Sequence, residues 1–356
     1  MISLSKAKES IFSGGIEEAA YLKVQDKIQE SNRSTVIIFS VVAILAFAAL
    51  VVASCLVASL SNFKVIYVSG LLLSVIIWAI AKYFGEKNFA AMTADVYLFS
   101  FMLIAVGIAL GTVMSPKEIA ATYIALLLAV PQVFIDRPWR MYLLIVASVI
   151  LFIVMTLNFK DPSTISSDVT NAVVFGIVSI ALCNYSIDNR VKKYFLEYQI
   201  RFLAENDQLT GLKNRYSYQQ YIDNSNVLKS RSIYCIYVDV NGLHELNNTE
   251  GHEAGDKMLQ FVASVMQNLF GRDNTYRIGG DEFVAIGVDK SLDEVLSLVQ
   301  QMKAAVESAG YHIAAGIGIE EKKIIAVDSI IKDAEQEMYK DKAEFYKAAG
   351  RSRKRS

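Results

Sequence analysis

Cysteine, proline and histidine are all scarce in this 356-residue chain, with three, four and three copies respectively. Cys55, Cys183 and Cys235 stand apart, two in apolar runs and one inside a strand-like stretch. With no CxxC pair and no Cys/His cluster, neither a disulfide scaffold nor a zinc site is supported, and buried thiols in a reducing compartment are expected. Proline is absent after Pro162, so nothing obvious breaks a helix beyond that point. Charge of one sign is missing too. A net charge of −1 gives no case for a nucleic-acid partner. The one basic run, in 351–356, reads as a solvated tail rather than a binding arm. A cleavable leader is not expected, because the polar and charged residues 1–34 precede the first apolar run.

Apolar sequence is what the chain has in excess. Hydrophobic residues make up 53% and mean hydropathy is +0.34, too high for an ordinary soluble protein. The excess sits between Thr35 and Ile187, in stretches at 35–58, 63–83, 92–114, 118–135, 139–158 and 170–187. Most reach the roughly 20 residues that cross a ~30 Å hydrocarbon core, while the fourth and sixth are shorter. Basic residues cluster at Lys23, Lys27 and Arg33, at Lys82 and Lys87, at Arg137 and Arg140, and at Arg190, Lys192 and Lys193. The intervening loops carry only Lys64, Lys117 and Lys160. An even span count with this bias puts both termini in the cytoplasm. The expected architecture is therefore an α-helical membrane domain of about six spans at 35–187, a lipid-embedded sensor or anchor in the cell membrane. A cytoplasmic arm, 1–34, precedes it. Asp95 and Asp136 fall near span ends, where water is expected to reach them, so no transport path is indicated. Pro131 is expected to kink the fourth span.

Residues 188–206 read as a linker helix continuing from the last span. Val191, Phe195, Tyr198 and Phe202 recur at steps of four and three, an apolar seam along that helix. The seam either pairs with a second chain as a short coiled coil or packs on its own domain.

Beyond the linker, elements alternate: helix 208–227, strand 232–240, helix 254–270, hairpin 274–288, helix 291–309, strand 311–319 and helix 326–347. This mixture argues for an α+β, ferredoxin-like core. Four polar blocks punctuate it. Asp207 to Arg215 is a Gly-punctuated helix entry. Ile233 to Asn241 is a buried strand ending on Asp239, and Asn247 to Asp256 is a polar loop entering a helix. The fourth, Tyr276 to Ile286, contains Gly279-Gly280-Asp281-Glu282 between two strand-like runs. It reads as a tight hairpin in which the glycines supply positive φ and leave room for a ligand. Alternation along the strand sends the two acids to opposite faces. His312, on an apolar strand, reads as a packed residue.

In this order and spacing the four blocks resemble a GGDEF domain, the catalytic domain of diguanylate cyclases, over 207–350. The resemblance implies the five-stranded nucleotide cyclase (palm) fold, with two GTP condensed to cyclic di-GMP by a homodimer using Mg2+, for which Mn2+ can substitute. It implies Asp239, the Val240 carbonyl and Asp281 as metal ligands, Asp281 also as catalytic base, and Glu282 as support. Asn247 and Asp256 match the guanine-contacting positions, and His252 a position near the nucleotide. Gly279 and Gly280 match the glycine pair beside the substrate, and Lys342 the triphosphate-binding lysine. An aspartate accepting from guanine N–H groups has no such partner on adenine, which favours GTP. Three departures stand out. His244 replaces a lysine near the phosphates, Tyr346 replaces a basic residue one turn after Lys342, and Phe270 replaces the arginine of the product-inhibition motif that Asp273 would complete. The alternative is a catalytically inactive GGDEF domain serving as a nucleotide- or protein-binding module. The sequence identifies neither the stimulus nor the downstream cyclic di-GMP receptors.

Overall fold

The computed structural model describes residues 4–85, 88–224, 232–320 and 327–348. The basic tail, Lys87 and the end of the 208–227 helix lie outside the described residues. The chain divides into two compact units, Met1–Gln199 and Ile200–Ser356.

The N-terminal unit is helical: α1 (Leu4–Ser13), α2 (Glu18–Leu56), α3 (Lys64–Tyr83), α4 (Phe89–Gly111), α5 (Ala121–Val133), α6 (Pro138–Phe159) and α7 (Pro162–Glu205). Among the described residues five helices are long and apolar enough to cross a membrane, and α5, at 13 residues, is not one of them. The last apolar stretch lies within the 44-residue α7, which is one of those five. Large apolar side chains such as Leu45, Leu72, Leu143 and Ile177 point outward, while Phe99, Tyr123 and Phe152 fill the interior. Helices apolar on every side suit a lipid surround.

One expectation about this unit needs correction. Asp95 and Asp136 are both buried, and Asp136 accepts a hydrogen bond from Tyr97 at 2.7 Å. Lys160 sits in the loop between α6 and α7 as read, but its side chain is 0% exposed and pairs with the equally buried Asp168 at 2.8 Å. Of the two readings of the Val191 seam, the structure favours packing on its own unit. Val191 is fully buried, and Phe195 and Tyr198 pack on the same helical core. The apolar side chains of that part of α7 left most exposed are instead Leu196, Ile200 and Leu203.

The C-terminal unit wraps helices around one sheet. Its elements are β1 (Lys213–Asn214), α8 (Arg215–Asn224), β2 (Ile233–Asn241), α9 (Leu243–Glu250), α10 (His252–Phe270), β3 (Thr275–Arg277), β4 (Glu282–Val288), α11 (Leu292–Ser308), β5 (His312–Glu320) and α12 (Val327–Ala348). The strand order is β1-β3-β4-β2-β5, antiparallel except for the β1–β3 pair. β2 is central and buried at every position, as a run of Ile, Tyr and Val allows. Tyr234, Ile236, Val238 and Val240 face the core formed with α10 and α11. Ile233, Cys235 and Tyr237 face the core formed with α12. Residues 208–212 are not helical as expected. They form a turn that Asp207 ties down by accepting from the Thr210 N–H and hydroxyl. Most of the polar block Asn247 to Asp256 is helical too, split into α9 and α10 at Gly251, whose φ is 88°.

Candidate functional site

The site forms where β2 ends. Asp239 is buried at the sheet's centre, and Lys342 of α12 meets it with Nζ 2.6 Å from Oδ2. Directly across, Glu282 of β4 is its register partner. Opposite residues of an antiparallel pair share a face, with Cβ atoms about 5 Å apart. Burial pushes the Glu282 carboxyl above its usual range, Asp281 and Asp239 push it further, and Lys342 pulls it back. Carboxylates crowded around one ammonium suit a hard divalent cation, which takes carboxylate, carbonyl and phosphate oxygens. Among the described residues no three His, Cys, Asp or Glu side chains could hold a metal on their own.

The glycine hairpin differs from expectation. Neither Gly279 nor Gly280 is among the residues with positive φ, and the turn is wider than two residues. The Ile278 N–H donates to the Glu282 carbonyl at 3.0 Å, and the Val240 N–H donates to the Asp281 carbonyl at 3.0 Å. Arg277 braces the loop, donating to the Gly280 carbonyl at 2.7 Å and to Asp207 at 2.9 Å. The glycines serve closeness instead. A Cβ on Gly279 would come within 2.6 Å of Glu282 Oε2, while one on Gly280 would meet nothing within 4 Å, leaving that side of the loop open. Arg277 and its partner Asp207 were not singled out by sequence reasoning, though both lie within the motif blocks. Burial alone would push the Asp207 carboxyl up, but hydrogen bonds from Thr210 and Arg277 outweigh it and hold the group below the usual carboxylate range.

Gly242, with φ of 80°, turns the chain from β2 into α9. Asn247 then packs towards α10: its buried Oδ1 has no hydrogen-bond partner, and a Cβ on Gly255 would lie 2.0 Å from it. Asp256, the residue after Gly255, is exposed. His244 and His252 are exposed. Tyr346 lines a cavity on another side of α9. At the inhibition motif, Phe270 is buried in the core, while Arg272 donates to the Gly211 carbonyl and stacks over Phe202. His312 is exposed at the start of β5, against expectation, with its ring 5.2 Å from that of Phe345.

An α/β domain with paired acids at a glycine hairpin defines the class, and comparison with known proteins makes it particular. Residues 204–347 match the family described as diguanylate cyclase, GGDEF domain, so the C-terminal unit is a GGDEF domain. Cyclic di-GMP phosphodiesterase PdeB of Shewanella oneidensis is 30% identical over 150 residues, 39% of this chain and 17% of that protein. Diguanylate cyclase DgcS of the same species is 30% identical over 146 residues, 38% of this chain and 49% of that protein. The chain thus spans less than half the length of either relative. Among solved structures, the GGDEF domain of DgcB from Caulobacter crescentus in complex with c-di-GMP covers 42% of this chain and 94% of that one, at 22% identity and a TM-score of 0.35.

Proposed function

We propose that this protein is a membrane-anchored diguanylate cyclase that joins two GTP into cyclic di-GMP and releases two pyrophosphates. The observation that carries the reading is the Asp239 carboxylate at the end of β2, flanked by Glu282 across the sheet and by the Lys342 ammonium. A carboxyl pushed up by burial and then by neighbouring acids supports a reaction site over a surface that merely binds a partner protein.

Each half-reaction needs the 3′-hydroxyl of one GTP to attack the α-phosphorus of the other. The new O–P bond forms as the bond to pyrophosphate breaks, and the hydroxyl proton must be taken up. Asp281, at the open end of the loop, is assigned that proton. Asp239, the Val240 carbonyl and Asp281 would hold Mg2+, which when bound supplies charge to the reacting oxygens. Lys342 offsets phosphate charge, as preorganised cations do. Asn247 and Asp256 read guanine, and Gly279 and Gly280 let the nucleotide approach the backbone. His252 lies at the rim. His244 stands where a permanently charged lysine would help more. One domain holds one GTP, so the product needs two domains face to face and hence a homodimer. The anchoring helices put the reaction at the cytoplasmic membrane, on the side where GTP is found.

The departures at His244 and Tyr346 favour one second reading, a GGDEF domain that binds nucleotide without turning it over. Purified protein incubated with GTP and Mg2+ decides: cyclic di-GMP formation supports the cyclase, and GTP binding without product supports the second reading.

A further inference from the structure

A cavity of about 740 Å³ opens on the Glu245–Thr249 side of α9, bounded by α10, the start of β5 and the end of α12. It is not the guanine position. Asn247 lies two residues from Glu245, roughly 200° around a helix of 3.6 residues per turn, and packs against Gly255 instead. The volume falls in the range of small-molecule sites, about 300–1,000 Å³.

Three features give the cavity a chemistry. Asn241, on its wall, is 4% exposed, and neither its Oδ1 nor its Nδ2 meets a hydrogen-bond partner among the described residues. An orphaned buried amide is destabilising, so a group that both donates and accepts belongs beside it. Flat rings supply a second wall: His312 lies 5.2 Å from Phe345, and Phe345 lies edge-on to Tyr346 at 5.5 Å. The mouth, last, is acidic. Glu245, Glu250 and Glu253 line it against Lys257, which is already paired with Glu253 at 2.8 Å.

We propose that this cavity is a second ligand site, separate from the nucleotide site, for a flat, unphosphorylated amino-heterocycle whose adjacent donor and acceptor pair with Asn241. Aromatic rings stack such a molecule, and a carboxamide pairs with an N–H/N edge of the kind adenine presents. The glutamates at the mouth oppose any phosphate. The site is available whether or not the domain turns GTP over, so its failure and that of the cyclase reading are distinguishable.

Adenosine is the probe, titrated calorimetrically into the full-length protein in detergent micelles, with AMP alongside. Saturable adenosine binding is expected, with AMP at least fivefold weaker. Asn241→Leu should weaken adenosine at least tenfold while leaving the melting temperature unchanged or higher, because it removes an unsatisfied amide. Phe345→Ala should weaken it at least fivefold. Binding of the GTP analogue GTPαS should not change in Asn241→Leu. No saturable binding at 5 mM adenosine, equal affinity for AMP, or an Asn241→Leu protein that binds normally or unfolds would each overturn the proposal.

Discussion

Single side chains carry most of the chemistry, and two of them make opposite predictions about stability. Asp281 is half-exposed at the loop end, so Asp281→Ala should cost little folding free energy, within about 0.5 kcal/mol, while abolishing cyclic di-GMP synthesis. Synthesis at the wild-type rate would remove Asp281 from the reaction. Asp239→Asn should also abolish turnover, but it leaves the Lys342 ammonium beside a neutral amide and should lower the melting temperature as well. Asp207 tests the brace behind the hairpin. Its folded-state pKa lies below the unfolded value, so its contribution is complete above about pH 4 and is lost as pH falls through the lower folded value. Asp207→Asn should therefore destabilise the domain at pH 7 by about 1 kcal/mol, a charged hydrogen bond discounted for solvent screening, and converge with the wild type in strong acid. Urea unfolding monitored from pH 7 to pH 2.5 measures the difference. A gap that stays constant over that range would mean that Asp207 does not act through its charge.

Elements were legible where burial and pattern agree. The wholly buried Ile233–Asn241 run could only be an interior strand, and it placed Asp239 correctly at its end. α9 was missed because Asn247-Asn248-Thr249-Glu250 has loop propensity, and only Gly242 at its start and packing against α10 make it a helix. The hairpin was recognised, but its glycines were credited with positive φ, whereas Gly279 provides close approach to Glu282 and Gly280 leaves its side of the loop open. In α7 the seam was found but its partner was left open, because the helix is apolar on more than one face. Periodicity finds apolar faces but cannot say which one the protein covers itself. The proposed homodimer now has a sharper test. Leu196→Glu with Leu203→Glu should weaken self-association by about tenfold or more in light scattering and lower cyclic di-GMP output in proportion. Val191→Glu, by contrast, should unfold the N-terminal unit, since that side chain is fully buried. If the paired glutamates leave the oligomer intact, α7 is not the dimer contact. The turn after α10 predicts regulation. With Phe270 in the core and Arg272 engaged elsewhere, micromolar cyclic di-GMP should inhibit turnover less than twofold. Strong inhibition relieved by Asp273→Ala would restore the site that Phe270 was read as removing.

At the scale of the whole molecule, everything about orientation hangs on α5. Five long helices alone would leave the two termini on opposite sides, whereas a sixth crossing brings them together. Thirteen helical residues rise only about 20 Å, short of a ~30 Å hydrocarbon core. Irregular backbone at membrane depth is tolerated only where protein satisfies it, and that condition is met at both ends. At the entry, Asp168 accepts from the Ala120 N–H, and Lys160 donates to the Gly111 and Ser115 carbonyls. At the exit, Asn32 both donates to the Ile135 carbonyl and accepts from its N–H, while Arg190 donates to the Gln132 and Val133 carbonyls. Inside, Pro131 lacks the N–H that would bond Leu127, and the Ser179 hydroxyl takes that carbonyl at 2.7 Å. If this short helix with protein-satisfied ends crosses the bilayer, as the six-span proposal requires, both termini should lie on the same face. Epitope tags at the two ends should be equally protected from protease in intact cells and equally cleaved in inverted vesicles. One tag cleaved from each side would mean that α5 does not cross. Asp168→Asn strands the buried Lys160 ammonium and should cost about 3–5 kcal/mol, the penalty for breaking a buried ion pair. If α5 crosses because these contacts support it, that variant should also show a minority population with one tag reversed.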